Sequence, residues 1–238
     1  MNLKGIKITK KMYKKINEIG ASNLKTSTLQ GLDEFKKFTW SSFVKQEFLA
    51  LIKCMNSLDN NNIFINLKDS QLFIFNYYTD VTEMDIATVL KGKDDKNIIV
   101  DIEYKSGEQV CEKLDEQIVK RIQDHMQQLF LNEKYIIIGM TDEGFYRASY
   151  YDSKNNMDIF SIDDLRELIQ NFNSNDYVET ILTQANDLAG IHNLYYKMEI
   201  GEFKYYEETK RTTEFILKKI EEGKKLLFVC LVQVQVKQ

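Results

Sequence analysis

The residues of this chain whose types and spacing suit chemistry are Asp85, Glu103 and Lys105. Glu103 and Lys105 stand two positions apart in Asn97-Ile98-Ile99-Val100-Asp101-Ile102-Glu103-Tyr104-Lys105, a stretch with strand composition and a period of two. Alternate side chains of a strand share a face. Ile98, Val100, Ile102 and Tyr104 therefore point one way, and Ile99, Asp101, Glu103 and Lys105 the other. Asp85 lies in Thr82-Glu83-Met84-Asp85-Ile86-Ala87, on a preceding strand that the charged turn from Lys91 to Lys96 lays next to the first. Two carboxylates then face a position where a hard divalent cation can take oxygen ligands, with an ammonium at its edge.

The elements that must hold these residues follow from periodicity. Ser41 to Asn56 reads as a helix, with Val44, Phe48, Leu51, Ile52 and Met55 as its apolar stripe and Ser41 or Ser42 as its cap. Strands are expected at 63–67, 71–78, 84–90 and 97–105, with loops at Asp59 to Asn62 and at Asp69-Ser70. A helix from about Gln109 to Leu131 follows, burying Val110, Leu114, Ile118, Ile122, Met126 and Leu129. Lys134 to Met140 is a wholly apolar strand, the mark of a central strand covered on both faces. A further strand at 144–152, a helix at 161–172 capped by Ser161 and a helix at 177–188 complete the ordered elements. At the N-terminus, Lys4, Lys7, Lys11, Lys14 and Lys15 fall on one helical face, with Ile8, Met12, Ile16 and Ile19 on another. A solvated amphipathic helix is the preferred reading over a phosphate-contacting strip.

Asp85 followed by a strand carrying Glu103-Tyr104-Lys105 resembles the PD-(D/E)xK (restriction-endonuclease-like) nuclease superfamily. Met84 stands where that family has proline, and the chain has no proline at all. The resemblance implies an α/β fold with an α-β-β-β-α-β core, a mixed sheet flanked by helices, over residues 1–175, with a helical extension after it. It implies that Asp85 and Glu103 hold one or two Mg2+ or Mn2+ ions, with the Tyr104 carbonyl and waters completing the shell. Lys105 would orient or deprotonate the attacking water and neutralise charge on the phosphate. Asp101 shares their face and is a substitute ligand for Glu103. The family's helix before the sheet often supplies one more acid, for which Glu47 is best placed; the alternative is a surface glutamate paired with Lys45 or Lys53. Where helicase-linked members carry Gln-x-x-x-Tyr, this chain has Gln117 followed by Arg121, leaving Gln117 as a site candidate. Lys113, Lys120 and Arg121 are candidate phosphate contacts, or else ordinary charges of a helix surface.

A nuclease segment followed by the charged helix Glu207 to Glu222, Gly223 and the apolar run to Cys230 resembles the bacterial Schlafen-related DNA/RNA helicases. Residues 176–238 are then expected to be a linker and the start of an ATPase domain. Codons for the last eight residues, Leu231 to Gln238, permit a P-loop in another reading frame, so a frameshifted truncation is expected; the alternative is a natural alternating edge strand. The sequence itself contains no P-loop, and ATP hydrolysis is not expected.

Composition sets the outer bounds. With 238 residues, 43% of them hydrophobic and 12% aromatic, the chain can bury one sizeable core. A net charge of −4 means that any nucleic-acid contact must come from a local patch. Three scattered cysteines without a Cys-x-x-Cys pair fit a reducing cytoplasm and argue against a zinc site or disulfide scaffold. No apolar run reaches membrane-spanning length. Only His125 and His192 are present, so a His-cluster mechanism is poorly served. The expected function is a metal-dependent nuclease acting on DNA, with RNA as the other substrate; the family also suggests phage defence. No organic cofactor and no membrane partner are expected, and a homo-oligomer is compatible. The rival readings are a nuclease-like domain without activity, which binds nucleic acid or regulates an attached motor, and an unrelated α/β interaction domain.

Overall fold

The computed structural model describes residues 5–19, 42–79, 82–122, 134–152 and 155–187. Strands lie side by side in the order in which the chain makes them: β1 (Ile6–Thr9), β2 (Leu72–Tyr78), β3 (Glu83–Lys91), β4 (Asn97–Tyr104), β5 (Lys134–Thr141), β6 (Gly144–Asp152) and β7 (Asn155–Ile159). A two-residue β8 (Asn173–Ser174) pairs with β3. Neighbours along this path are antiparallel except β4 and β5, which are parallel. A parallel pair needs a crossover, and α3 (Val110–Lys120) lies in it. The helices α1 (Lys10–Ile19), α2 (Ser42–Asn60) and α4 (Ile162–Ile169) complete the labelled elements. The result is an α/β fold with an open, mostly antiparallel sheet flanked by helices.

The period of two in β4 sorts the core into two faces. Ile98, Val100 and Ile102, with Ile86, Ile136, Ile138 and Met140, pack against Phe48, Leu51, Ile52 and Met55 of α2 and Tyr13 and Ile16 of α1. Ile99, with Ala87, Val89, Tyr135 and Ile137, meets Ile118 of α3 and Val178, Leu182 and Ala185 of the helix at 178–187. That last helix thus packs on the same sheet, although the expected boundary falls at residue 176. The candidate metal strand β4 and the apolar strand β5 are both sealed on two sides, as a central parallel pair should be. Gly139 of β5 lets α3 come close: a Cβ there would stand 3.2 Å from Ile118 Cδ1.

Several elements differ from the expectation. The N-terminal segment is not one helix. Ile6 and Ile8 alternate into β1, and α1 begins at Lys10, where the Thr9 hydroxyl accepts from the Met12 amide at 3.3 Å. Gly5 makes this entry possible, since at φ +78° a Cβ would come 2.5 Å from Ile74 Cγ2. The lysine face is engaged with protein as well as solvent: Lys7 pairs with Glu179 at 2.7 Å and Lys14 with Asp59 at 3.2 Å. The strand expected at 63–67 does not form. Asn62 adopts a left-handed turn (φ 59°) that ends α2, and the Ile63 amide folds back to the Leu58 carbonyl. Ile63 and Phe64 go directly into the core, and the buried Lys10 ammonium donates to Phe64 O at 2.6 Å and Leu67 O at 2.9 Å. Those carbonyls are satisfied by a side chain, so no ladder partner is required.

β7 was not expected either; its Asn-Asn-Met-Asp-Ile sequence lacks strand composition, and pairing with β6 holds it. The strand at 144–152 forms as expected, and the Ser161-capped helix forms but ends at Ile169, short of Phe172, with Ser161 Oγ accepting from the Asp163 amide at 3.1 Å. The helical backbone of α3 continues through Ile122. The remainder of the expected 109–131 helix, His125, His192 and everything after residue 187 lie outside the described residues.

Candidate active site

The charged turn after β3 closes tightly, with the Gly92 amide on the Lys96 carbonyl at 2.9 Å and Asp95 in a left-handed conformation. This sets the register Ile86 opposite Ile102 and Ala87 opposite Asp101. Beyond that pair the backbone ladder of β3 and β4 stops. The Tyr104 amide donates instead to the Asp85 carboxylate, Oδ2, at 2.7 Å. Asp85 is therefore fixed by main chain at the end of the hairpin, next to Glu103 and Lys105.

Asp101 and Glu103 face α3, and α3 answers them from one helical face. Gln117 Nε2 donates to Glu103 Oε2. One turn on, where the helix widens to a π-type turn at 121–122, Arg121 reaches both acids. Its Nη2 lies 2.6 Å from Glu103 Oε1 and its Nη1 2.9 Å from Asp101 Oδ2. Nη2 also donates to the Glu83 carbonyl at 3.0 Å. The Tyr135 hydroxyl donates to Asp101 Oδ2 at 2.6 Å. Asp101, Glu103 and Arg121 are 0%, 1% and 3% exposed, so their charges are compensated inside the protein or not at all. Lys105, a third exposed, approaches Glu103 Oε2 at 3.8 Å. Arg121 is thus a buried partner of two carboxylates and not a surface charge.

Compensation is incomplete. Burial pushes the Asp85 carboxyl from its ordinary 3.8 up to about 6; Lys105 and the Tyr104 amide oppose this, while Asp101 and Glu83 add to it. Glu103 is pushed well above the usual range by burial first, then by Asp101 and Asp85, against the pull of Arg121 and Lys105. Burial works against the Arg121 charge, but Asp101, Tyr135, Glu103 and Asp85 outweigh it and hold that group above its ordinary value. Asp101 Oδ1 is buried with no hydrogen-bond partner among the described residues. Three carboxylates face two cations, which leaves the set short of positive charge.

The donor set is all oxygen, the kind that suits a hard cation. Among the described residues, no three or more His, Cys, Asp or Glu side chains form a ready metal cage. One or two carboxylates with backbone carbonyl and water is nonetheless an arrangement that Mg2+ and Mn2+ accept, and Asp85 and Glu103 supply oxygens of that kind.

Glu47 sits on α2 and accepts from Asn76 Nδ2 at 3.2 Å, while the same nitrogen reaches Glu83 Oε1 at 3.4 Å. Burial, then Glu83, Glu47 and Asp85, push the Tyr78 phenol up to about 12, so these acids share one electrostatic neighbourhood. Glu47 is brought to this end of the sheet through Asn76 and makes no described contact with Asp85 or Glu103. Lys120 is exposed, and Lys113 donates to the Glu108 carbonyl at 2.9 Å. The structure therefore gathers Asp85, Glu103, Lys105, Tyr104 and Gln117, sets Glu47 beside them, and leaves Lys120 outside. Asp101, Tyr135 and Asn76 complete the constellation. The signals for the first two were the shared parity of Asp101 with Glu103 and a tyrosine heading an otherwise aliphatic strand.

The chain matches no protein-family model, no curated protein and no solved structure. No described helix is long and apolar enough to cross a membrane.

Behind Tyr104, on the α2 face, lies a cavity of about 370 Å³ lined by Leu49, Cys54, Tyr104, Met140 and Asp142 among others. The Tyr104 hydroxyl donates to Asp142 across it. Burial, then Asp85 and Asp142, push the Cys54 thiol up to about 12, so this cysteine is a protonated packing group and not a nucleophile.

Proposed function

We propose that this chain is a metal-dependent phosphodiesterase with a restriction-endonuclease-like core, cutting DNA in preference to RNA. The observation that carries the reading is the meeting of Asp85, Glu103 and Lys105 at the open end of β3 and β4, with Asp85 aimed by the Tyr104 amide. Asp85, Glu103 and the Tyr104 carbonyl would hold Mg2+ or Mn2+, which supplies Lewis acidity towards water and phosphate oxygens. Gln117 and Arg121 fix the Glu103 carboxylate so that it cannot swing away. Lys105 keeps one side towards solvent and one towards Glu103, a position from which its ammonium can neutralise charge developing on a phosphate. The raised Asp85 and Glu103 carboxyls support the reading, because carboxylates short of positive charge are what a divalent cation stabilises.

A second reading rests on a different observation. Arg121 already neutralises part of the Asp101–Glu103 pair, which favours a nuclease-like domain that binds nucleic acid or regulates a partner without cutting. Labelled single- and double-stranded DNA and RNA, incubated with the full chain with and without Mn2+, separate the two. Cutting that needs Mn2+ and disappears in Asp85→Ala and Lys105→Ala supports the enzyme. Binding without cutting supports the second reading, and neither binding nor cutting sinks both.

A further inference from the structure

We infer that Arg121 takes the inner cation position of this site, so that the chain binds one divalent cation and not two. The inference rests on the metal reading above and concerns only how many ions that site takes. A two-metal centre needs a carboxylate that can bridge ions about 3.5–4 Å apart. Asp85 accepts the Tyr104 amide on Oδ2 at the outer end, and an ion placed further in would need Glu103 or Asp101 as well. Both already serve Arg121 at that inner position. Glu103 Oε1 holds Arg121 at 2.6 Å, and its Oε2 accepts from Gln117 with Lys105 nearby at 3.8 Å. Asp101 Oδ2 holds Arg121 at 2.9 Å and accepts from Tyr135 at 2.6 Å.

The guanidinium lies between the two acids at 3% exposure and is anchored a third time on the Glu83 carbonyl. It is planar and permanently charged, and its departure would take a donor from Glu103 Oε1 and the Glu83 carbonyl and the counter-charge from Asp101. Charge points the same way. With Asp85, Asp101 and Glu103 all ionised against Arg121 and Lys105, one divalent ion moves the set from one negative to one positive. A second would leave it three positive in a buried setting, where like charges are poorly screened. The unpartnered Asp101 Oδ1 does not offer a second seat, since Asp101 is wholly buried behind Arg121 and Tyr135.

The test is the number of Mn2+ ions bound per chain, read by calorimetry and native mass spectrometry on the full protein, with circular dichroism as the folding control. One ion is expected for the wild type and for Arg121→Lys, which keeps a cation in place. Two are expected for Arg121→Gln, which removes it. Two ions on the wild type, or one on a folded Arg121→Gln, overturns the inference while the metal reading stands. No ion on the wild type overturns the metal reading and this inference with it. If Arg121→Gln does not fold, the wild-type count still tests the single site, and two ions there overturn it. A purely structural arginine would change stability in these variants and leave the ion count alone.

Discussion

Replacing Asp85 with asparagine should make the protein more stable and remove its metal-dependent activity. Asparagine keeps the side-chain oxygen that accepts the Tyr104 amide and deletes only the charge. The folded Asp85 carboxyl lies at about 6, above its ordinary 3.8. As pH rises, the unfolded chain therefore ionises first, and the folded state loses stability between about pH 4 and pH 6. Above that window the whole cost stands, about 3 kcal/mol at 1.36 kcal/mol per pH unit. For a chain of this size that corresponds to a rise in Tm of roughly 6–12 °C for Asp85→Asn at pH 7.5. Thermal unfolding followed by circular dichroism from pH 4 to pH 8 reads it directly. The wild-type and variant curves should converge near pH 4 and separate as pH increases. Millimolar Mn2+ should narrow the gap by stabilising the wild type alone. A variant equally stable or less stable at pH 7.5 would show that Lys105 and the amide already compensate the charge, and the reasoning would fail. The trade of stability for a charged site is the usual signature of function.

Other outcomes follow from the same contacts. Lys105→Met should abolish cleavage with its circular dichroism spectrum unchanged, because Lys105 is partly exposed and its only described ion pair is at 3.8 Å. Retained cutting would remove Lys105 from the mechanism. Lys10→Met should destabilise by roughly 2 kcal/mol in urea unfolding, since the Phe64 and Leu67 carbonyls lose their donor; an unchanged midpoint would contradict this. Iodoacetamide at pH 8 should label the exposed Cys111 readily and Cys54 hardly at all, because burial first, then Asp85 and Asp142, hold that thiol near 12. Peptide mass spectrometry checks the ratio, and equal labelling would show that the cavity wall opens.

The parts of this fold that could be read in the sequence are those governed by local periodicity. The alternation of Ile98, Val100 and Ile102 with Ile99, Asp101 and Glu103 shows directly as two faces, and the Tyr135-Ile136-Ile137-Ile138 run shows as a strand sealed on both sides. The Ser161 cap is equally local. What was hidden depends on distant partners. Ile63-Phe64-Ile65 has strand composition, but the left-handed Asn62 and the Lys10 ammonium, more than fifty residues away, hold it in turns. Ile6 and Ile8 were masked by lysines whose spacing also suits a helix.

The site divides along the same line. Glu103-x-Lys105 and Asp85 were legible because strand parity and a short hairpin are enough to bring them together. Arg121 reads as a surface charge when its helix is viewed alone; only the sheet beneath, offering Asp101 and Glu103, turns that face inward. Tyr135 gave no sign beyond its type, since its hydroxyl matters only once Asp101 is placed opposite.

The claim on which the account depends is that Asp85 and Glu103 share a divalent cation. Anomalous diffraction from a crystal of the full chain grown with Mn2+ tests it most directly. The account predicts a peak within bonding distance of both carboxylates and the Tyr104 carbonyl, absent from Asp85→Asn crystals. A peak elsewhere, or none at saturating Mn2+, would contradict it.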